Sequence, residues 1–181
     1  MKIGIVGIGV VGKAIKEGFE YIGQEVSIYD IKLSETKIGD VLNSEIIYLT
    51  VSTSSGVDGE CDLSAVNNVI NQIDYFNYNG LVAIKSTVEP GTTDKLKKQY
   101  PNIRLVFVPE FLKERSAFND FVFNNNILVV GTDDDKDYEL IVKSHKNLPI
   151  HRVKMKPIEA ELMKYFSNTY KATKITFRSE E

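Results

Sequence analysis

The stretch of this chain best equipped for chemistry is the turn Gly7-Ile8-Gly9-Val10-Val11-Gly12. It has the G-x-G-x-x-G spacing that brings bare backbone amides up to the pyrophosphate of a dinucleotide. The apolar run Ile3, Ile5 and Val6 leads into it as a buried parallel strand would, and Lys13 to Phe19 follows as a helix. A second apolar strand, Val26 to Tyr29, ends on Asp30. Gly7 permits the tight turn, Gly9 the approach of the phosphates, and Gly12 the close packing of helix on strand. The helix N-terminus offers free N–H groups and the positive end of its dipole. Asp30 can accept hydrogen bonds from both ribose hydroxyls and would repel a 2′-phosphate, so NAD is expected over NADP; Lys32 pulls the other way. Gly7 to Gly12 and Asp30 are therefore the expected cofactor contacts.

Two other constellations have suitable chemistry. Glu110 and Glu114 are carboxylates four apart in Pro109-Glu110-Phe111-Leu112-Lys113-Glu114-Arg115, just after an apolar strand. A helical turn begun by Pro109 would put both on one side. Lys164 and Asn168, also four apart on a helix, can bring an ammonium and an amide to one developing oxyanion. Thr87, like Glu110, follows a strand, at the carboxyl edge where open α/β sheets bind ligands. Each has an ordinary alternative. Glu110 and Glu114 could be surface acids beside Lys113 and Arg115, and the stripe Glu161, Lys164, Asn168 and Lys171 a solvated helix face. Thr92 and Thr93 read as helix caps rather than ligand contacts. His145 and His151 have no cysteine or acid at metal-ligand spacing, so no metal is expected.

The elements that must hold these groups alternate between strand and helix. That order predicts an α/β fold: a Rossmann-type, doubly wound, mostly parallel sheet with a long C-terminal helix. Ile31 to Ser44 has room for little more than a turn or two. Strand three is expected at Ile46 to Val51, followed by the turn-rich loop Ser52 to Gly59, with Asp62 capping a helix from about Leu63 to Phe76. Further strands are expected at Leu81 to Ile84, Arg104 to Val108, Ile127 to Val130 and Pro149 to Val153. Helices are expected from Thr92 or Thr93 to about Tyr100, and from Asp133 to Lys146. The helix Pro157 to Phe177 would run about 31 Å at ~1.5 Å per residue. Its apolar face, with Ile158, Leu162, Met163, Tyr165, Phe166 and Tyr170, is broad. The division expected is a dinucleotide-binding domain over 1–155 and the start of a central, dimerising domain over 156–181.

Bulk properties exclude several classes. The 181 residues are 43% hydrophobic and 26% charged, which is globular composition. A net charge of -3 without a basic run argues against a nucleic-acid partner. No apolar stretch approaches the ~20 residues of a membrane span, and the chain enters strand one too early for a signal peptide. The single cysteine, Cys61, allows no internal disulfide and no cysteine zinc site, and the cytoplasm is the default address.

Five blocks together resemble the UDP-glucose/GDP-mannose, or nucleotide-sugar, dehydrogenases. They are the Gly7 to Gly12 turn; Val51 to Val66 with Asp58-Gly59 and Asp62-Leu63-Ser64; Lys85-Ser86-Thr87-Val88 with Gly91-Thr92-Thr93; Pro109 to Glu114; and Glu161-Leu162-Met163-Lys164 with Asn168, Ala172, Lys174-Ile175 and Phe177. The resemblance implies oxidation of a sugar nucleotide's primary alcohol to a carboxylate with two NAD, through a thiohemiacetal and a thioester on a cysteine. It implies that Thr53, Ser86 and Thr87 line the NAD cleft, Thr87 also ordering a water. Glu110 would act as acid or base in thioester hydrolysis, and Glu114 would lie near the nicotinamide. Phe111 and Leu112 would contact the substrate, with a UDP-sugar expected, while Lys164 and Asn168 would steady oxyanions.

The family's nucleophilic cysteine belongs to a glycine-rich motif beyond the last helix, and Cys61 does not match it. Its neighbours Glu60 and Asp62 would raise a thiol pKa rather than activate it. These residues alone are expected to bind NAD without completing the oxidation. The last helix is expected to need a partner, either a following domain or the same helix of a second subunit. Two other readings stay open: a β-hydroxyacid dehydrogenase, which shares the fingerprint and the lysine–asparagine pair, and a non-catalytic NAD-binding module.

Overall fold

The computed structural model describes residues 1–54, 60–124, 127–146 and 148–178, with the side chains of Glu114 and Arg178 outside the described set. Seven strands form one sheet in the order β2-β1-β3-β4-β5-β6-β7. They are β1 (Lys2–Val6), β2 (Glu25–Tyr29), β3 (Ile46–Leu49), β4 (Leu81–Ile84), β5 (Arg104–Phe107), β6 (Ile127–Gly131) and β7 (His151–Met155). All neighbours run parallel except β5 and β6, which meet antiparallel at Phe107 and Gly131. The helices are α1 (Val10–Tyr21), α2 (Ser64–Tyr75), α3 (Thr92–Gln99), α4 (Ala117–Val122), α5 (Asp135–Ser144) and α6 (Pro157–Arg178).

Alternate residues of each strand face opposite layers, as the period of two requires. Ile47, Leu49, Val82, Ile84 and Phe107 pack with Val66, Ile70 and Ile73 of α2, Leu96 of α3 and Ala160 of α6. Ile46, Tyr48, Leu81, Ala83 and Val106 pack with Ile15 and Phe19 of α1, Phe121 of α4 and Ile141 of α5. Both faces of the sheet are thus covered, which is the doubly wound arrangement expected. The segment after β2 holds one short 3-10 turn, Ile38–Val41. With no further strand there, the chain passes directly from β2 to β3 on the other side of β1. That reversal opens a crevice at the carboxyl ends of β1 and β3.

Four local expectations are corrected. Pro109 to Lys113 is not helical; a 3-10 turn begins only at Glu114 and leads into α4, which periodicity did not predict. The Phe111 N–H donates to the Glu110 carboxylate at 2.9 Å and the Lys113 N–H to Asp120 at 3.0 Å, so side chains rather than helical carbonyls take these donors. Glu110 and Glu114 therefore do not share a helical turn. The last strand lies two residues later than expected, because pairing with β6 runs from Ile127↔His151 to Gly131↔Met155. Helix α2 starts one residue late for Asp62 to be its N-cap, yet Asp62 Oδ1 still accepts the Ser64 N–H at 2.9 Å. Neither Thr92 nor Thr93 caps α3. Gly91, at φ +91°, holds that position, and the cap is a carboxylate from α6, Glu161.

Candidate functional site

The fingerprint turn sits at the switch point. Gly7 has φ +94°, a conformation glycine adopts without strain. Its N–H donates to the Tyr29 carbonyl at 2.9 Å, while Thr50 Oγ1 donates to the Gly7 carbonyl at 2.6 Å. The turn is thereby fixed to both neighbouring strands. A Cβ on Gly12 would stand 1.9 Å from the Gly7 carbonyl oxygen, so only a glycine lets α1 lie this close. A Cβ on Gly9 would meet nothing within 4 Å. Gly9 is also the N-cap of α1, with no capping side chain and no acid in the first turn. The first amides and the dipole of α1 therefore face open space uncompensated.

That space is a cleft of about 460 Å³, walled by Gly7, Ile8, Gly9, Asp30, Lys32 and Thr50, with Ser64, Asn68 and Gln72 of α2 opposite. Asp30 Oδ2 accepts the Ile8 N–H at 2.6 Å and Oδ1 the Lys32 N–H at 2.8 Å. Desolvation alone would raise the Asp30 pKa, but these two N–H groups and the Lys32 charge outweigh it and hold it below the usual range. A carboxylate has about four acceptor positions, so two remain for ribose hydroxyls. Open amides, a glycine with clear space in front and a fixed carboxylate together fit a dinucleotide. Of the other fingerprint residues, Val11 packs into the core and Val10 is exposed, outside the cleft wall.

Further along the same edge, Thr53 Oγ1 donates to the Thr87 carbonyl at 2.7 Å and Ser86 Oγ to the Val51 carbonyl at 2.6 Å. Ser86 is buried and Thr87 half-buried, and all three lie just outside the cleft wall. Cys61 is close by, its Sγ 3.6 Å from the Thr87 carbonyl. Burial first, then the charges of Glu89 and Asp62, push the thiol up, against a hydrogen bond with Thr53. Asp58 and Gly59 lie outside the described residues.

The carboxyl ends of β4 and β5 carry a group that the sequence concealed. Lys85 Nζ lies 3.0 Å from Glu110 Oε2, with both side chains almost wholly buried. Lys85 directly follows β4 and Glu110 follows β5 by three residues, so adjacency of these strands, once known, predicts the pair. Glu110 is thus no surface acid. Lys164 reaches it from α6, donating from Nζ to the Glu110 carbonyl oxygen. Burial pushes the Lys164 ammonium below the ordinary lysine range; the Glu110 charge opposes this, and Lys171 and Lys85 add to it. Phe111 lies under Lys164 Nζ at 5.6 Å, and Leu112 packs toward the opposite layer. Asn168 is exposed and makes no hydrogen bond among the described residues. The Glu114 side chain lies outside them.

The supposed polar stripe of α6 divides. Glu161 is fully buried, and its carboxylate accepts from the Gly91 N–H at 2.5 Å, the Thr93 N–H at 2.8 Å and the Thr93 hydroxyl at 2.6 Å. It locks α6 onto the start of α3, which sets where Lys164 falls three residues later. Leu162 and Phe166 on the apolar side are 58% and 73% exposed, so this chain by itself does not cover that face. Among the described residues, no three His, Cys, Asp or Glu gather as a metal site, and no helix is long and apolar enough to cross a membrane.

Residues 34–149 match the NAD binding domain of the UDP-glucose/GDP-mannose dehydrogenase family. The chain belongs to that family. The UDP-glucose 6-dehydrogenase of Rickettsia felis is 33% identical over 169 residues, which cover 89% of this chain and 38% of that protein. The UDP-glucose 6-dehydrogenase of Streptococcus pneumoniae is 30% identical, covering 99% of this chain and 56% of its own length. A UDP-glucose dehydrogenase structure from the archaeon Pyrobaculum islandicum superposes with a TM-score of 0.89 at 26% identity, over 99% of this chain and 51% of that one. The chain thus spans 38% to 56% of the length of these relatives. The family match begins after the fingerprint, but the switch-point cleft carries the same implication: the cofactor is NAD.

Proposed function

We propose that the chain is the NAD-binding half of a nucleotide-sugar 6-dehydrogenase that converts a UDP-sugar to its uronic acid. One observation carries the reading: the dinucleotide cleft and the Glu110–Lys85–Lys164 cluster lie along one sheet edge. Residues 1–155 form the cofactor domain and 156–181 begin the element that joins it to its partner. In the cleft, the amides at the front of α1 hold the pyrophosphate and Asp30 the adenosine ribose. NAD supplies the hydride acceptor when bound.

The remaining work falls to the chain's own side chains. Lys85 pairs with one oxygen of Glu110 and the Phe111 N–H holds the other, which orients Glu110 as the base on the substrate side of the edge. Lys164, already desolvated and aimed at the Glu110 carbonyl, stabilises negative charge developing on the substrate oxygen. Asn168 and Thr87 add hydrogen bonds to substrate and water, with Glu114 beside the nicotinamide. Phe111 and Leu112 border the sugar nucleotide, and Thr53 and Ser86 shape the floor. Cys61, its thiol pushed up, is not the nucleophile of the second oxidation. The uncovered face of α6 takes a second copy or a further domain.

Turnover tests this reading. With NAD and UDP-glucose these residues alone should bind cofactor but yield no UDP-glucuronate. Formation of the uronic acid by this polypeptide would contradict it, and NADH release with a β-hydroxyacid instead would favour the other dehydrogenase class.

A further inference from the structure

The amides of α1 and the Asp30 carboxylate take the phosphates and the ribose of a dinucleotide, and its base must lie beyond them in the same cleft. There the cleft is walled by Ile31 on one side and by Asn68, Val69 and Gln72 of α2 on the other. Ile31 directly follows Asp30 and is 86% exposed, an apolar side chain left open at the rim. A base joined to the ribose that Asp30 holds would cover it. A flat heteroaromatic ring needs apolar surface against its faces and hydrogen bonds at its edge. Ile31 and the buried Val69 supply the first.

Asn68 and Gln72 supply the second. They stand four apart on α2 and so share a face. Gln72 Nε2 donates to Asn68 Oδ1 at 2.5 Å. The two side-chain amides make no other hydrogen bond among the described residues. Their bond fixes which way round Gln72 lies, since turning its amide over would set two oxygens against each other. Gln72 is left with an acceptor, Oε1, beside a donor, the second hydrogen of Nε2. That is the complement of the adenine edge, where the N6 amino group donates and N7 accepts. Hypoxanthine carries an oxygen in place of the amino group, so acceptor would meet acceptor. Turning the Gln72 amide to suit it would break the bond to Asn68.

We propose that Gln72 is a specificity-determining residue of the cofactor site, which reads the base as adenine through a bidentate contact, and that Asn68 is the positioning residue that holds its amide for this. The assignment rests on the placement of NAD in the cleft and adds to it the group that tells one purine from another.

The test is calorimetric titration of the 181-residue chain with NAD and with nicotinamide hypoxanthine dinucleotide. Wild type should bind NAD tighter by roughly tenfold or more, as loss of a bidentate base contact implies. Gln72→Leu puts a good helix former on a partly open face. It should weaken NAD to about the level of the hypoxanthine analogue and leave the analogue itself within a few-fold of wild type. Asn68→Leu should shrink the ratio in the same way, and Asn68→Asp, which keeps the acceptor, should preserve it. A wild-type ratio near one, or a ratio that survives Gln72→Leu because both dinucleotides weaken alike, overturns the inference while NAD binding itself stands. A ratio that survives Asn68→Leu overturns the part assigned to Asn68. A wild-type chain that binds neither dinucleotide overturns the cofactor placement as well.

Discussion

Replacing Gly9 by alanine separates folding from binding at this site. The backbone there, at φ -77° and ψ -162°, accepts an L-residue, and the added Cβ would meet nothing within 4 Å. Alanine is a poorer N-cap than glycine by roughly 0.5–1 kcal/mol. Against that, it restricts the unfolded chain and gains about 0.4–1 kcal/mol. Net stability should therefore stay within about 1 kcal/mol of wild type. Binding should not survive so well, because the methyl group points into the space the phosphates would occupy. Losing two charged hydrogen bonds at ~1.5 kcal/mol each corresponds to about a hundredfold in affinity. Gly12→Ala makes the contrast. Its Cβ would stand 1.9 Å from the Gly7 oxygen and 2.9 Å from Thr50 Oγ1, so α1 must shift. That overpacking should cost about 1–3 kcal/mol of stability as well as affinity. Urea unfolding and calorimetric NAD titration of both variants give the two numbers. A Gly9→Ala protein that is folded and binds NAD within a few-fold of wild type would refute the placement of the phosphates.

The buried groups make three further predictions. Lys85→Met should destabilise by about 3–5 kcal/mol, since it strands the Glu110 carboxylate, and adding Glu110→Gln should recover most of that in denaturant titrations. Glu161→Ala leaves two N–H groups and a hydroxyl without their acceptor; a loss of roughly 3 kcal/mol is expected, with faster amide exchange in α6 and the first turn of α3. His145 is fully buried among Phe19, Tyr48 and Phe121, and burial lowers its pKa to about 3. The unfolded chain then binds one more proton between pH 6.5 and about 3. Above 6.5 the burial carries no penalty, and stability falls by about 1.4 kcal/mol per pH unit on acidification toward 3, a slope that His145→Gln should flatten.

The parts of this fold that could be read in advance are those whose cause is local. Ile3 to Asp30 shows strand, turn, helix and acid by spacing alone, and the structure keeps all four. The short crossover before Val41 was legible because chain length limits what fits. Helix α4 was not, because it is only six residues long and is held by Phe121 against α1, where a Cβ on Gly18 would come within 2.1 Å of that ring. The Lys85–Glu110 pair depends on which strands are neighbours. Glu161 looks like part of a solvated stripe until the crossing of α6 over α3 turns it inward. In each case a long-range contact overrides the local pattern.

Calorimetric titration of the chain with NAD and with NADP tests the central claim most directly. NAD should bind saturably, with NADP weaker by roughly tenfold or more because its 2′-phosphate would meet the Asp30 carboxylate. Absence of NAD binding, or tighter binding of NADP, would contradict it.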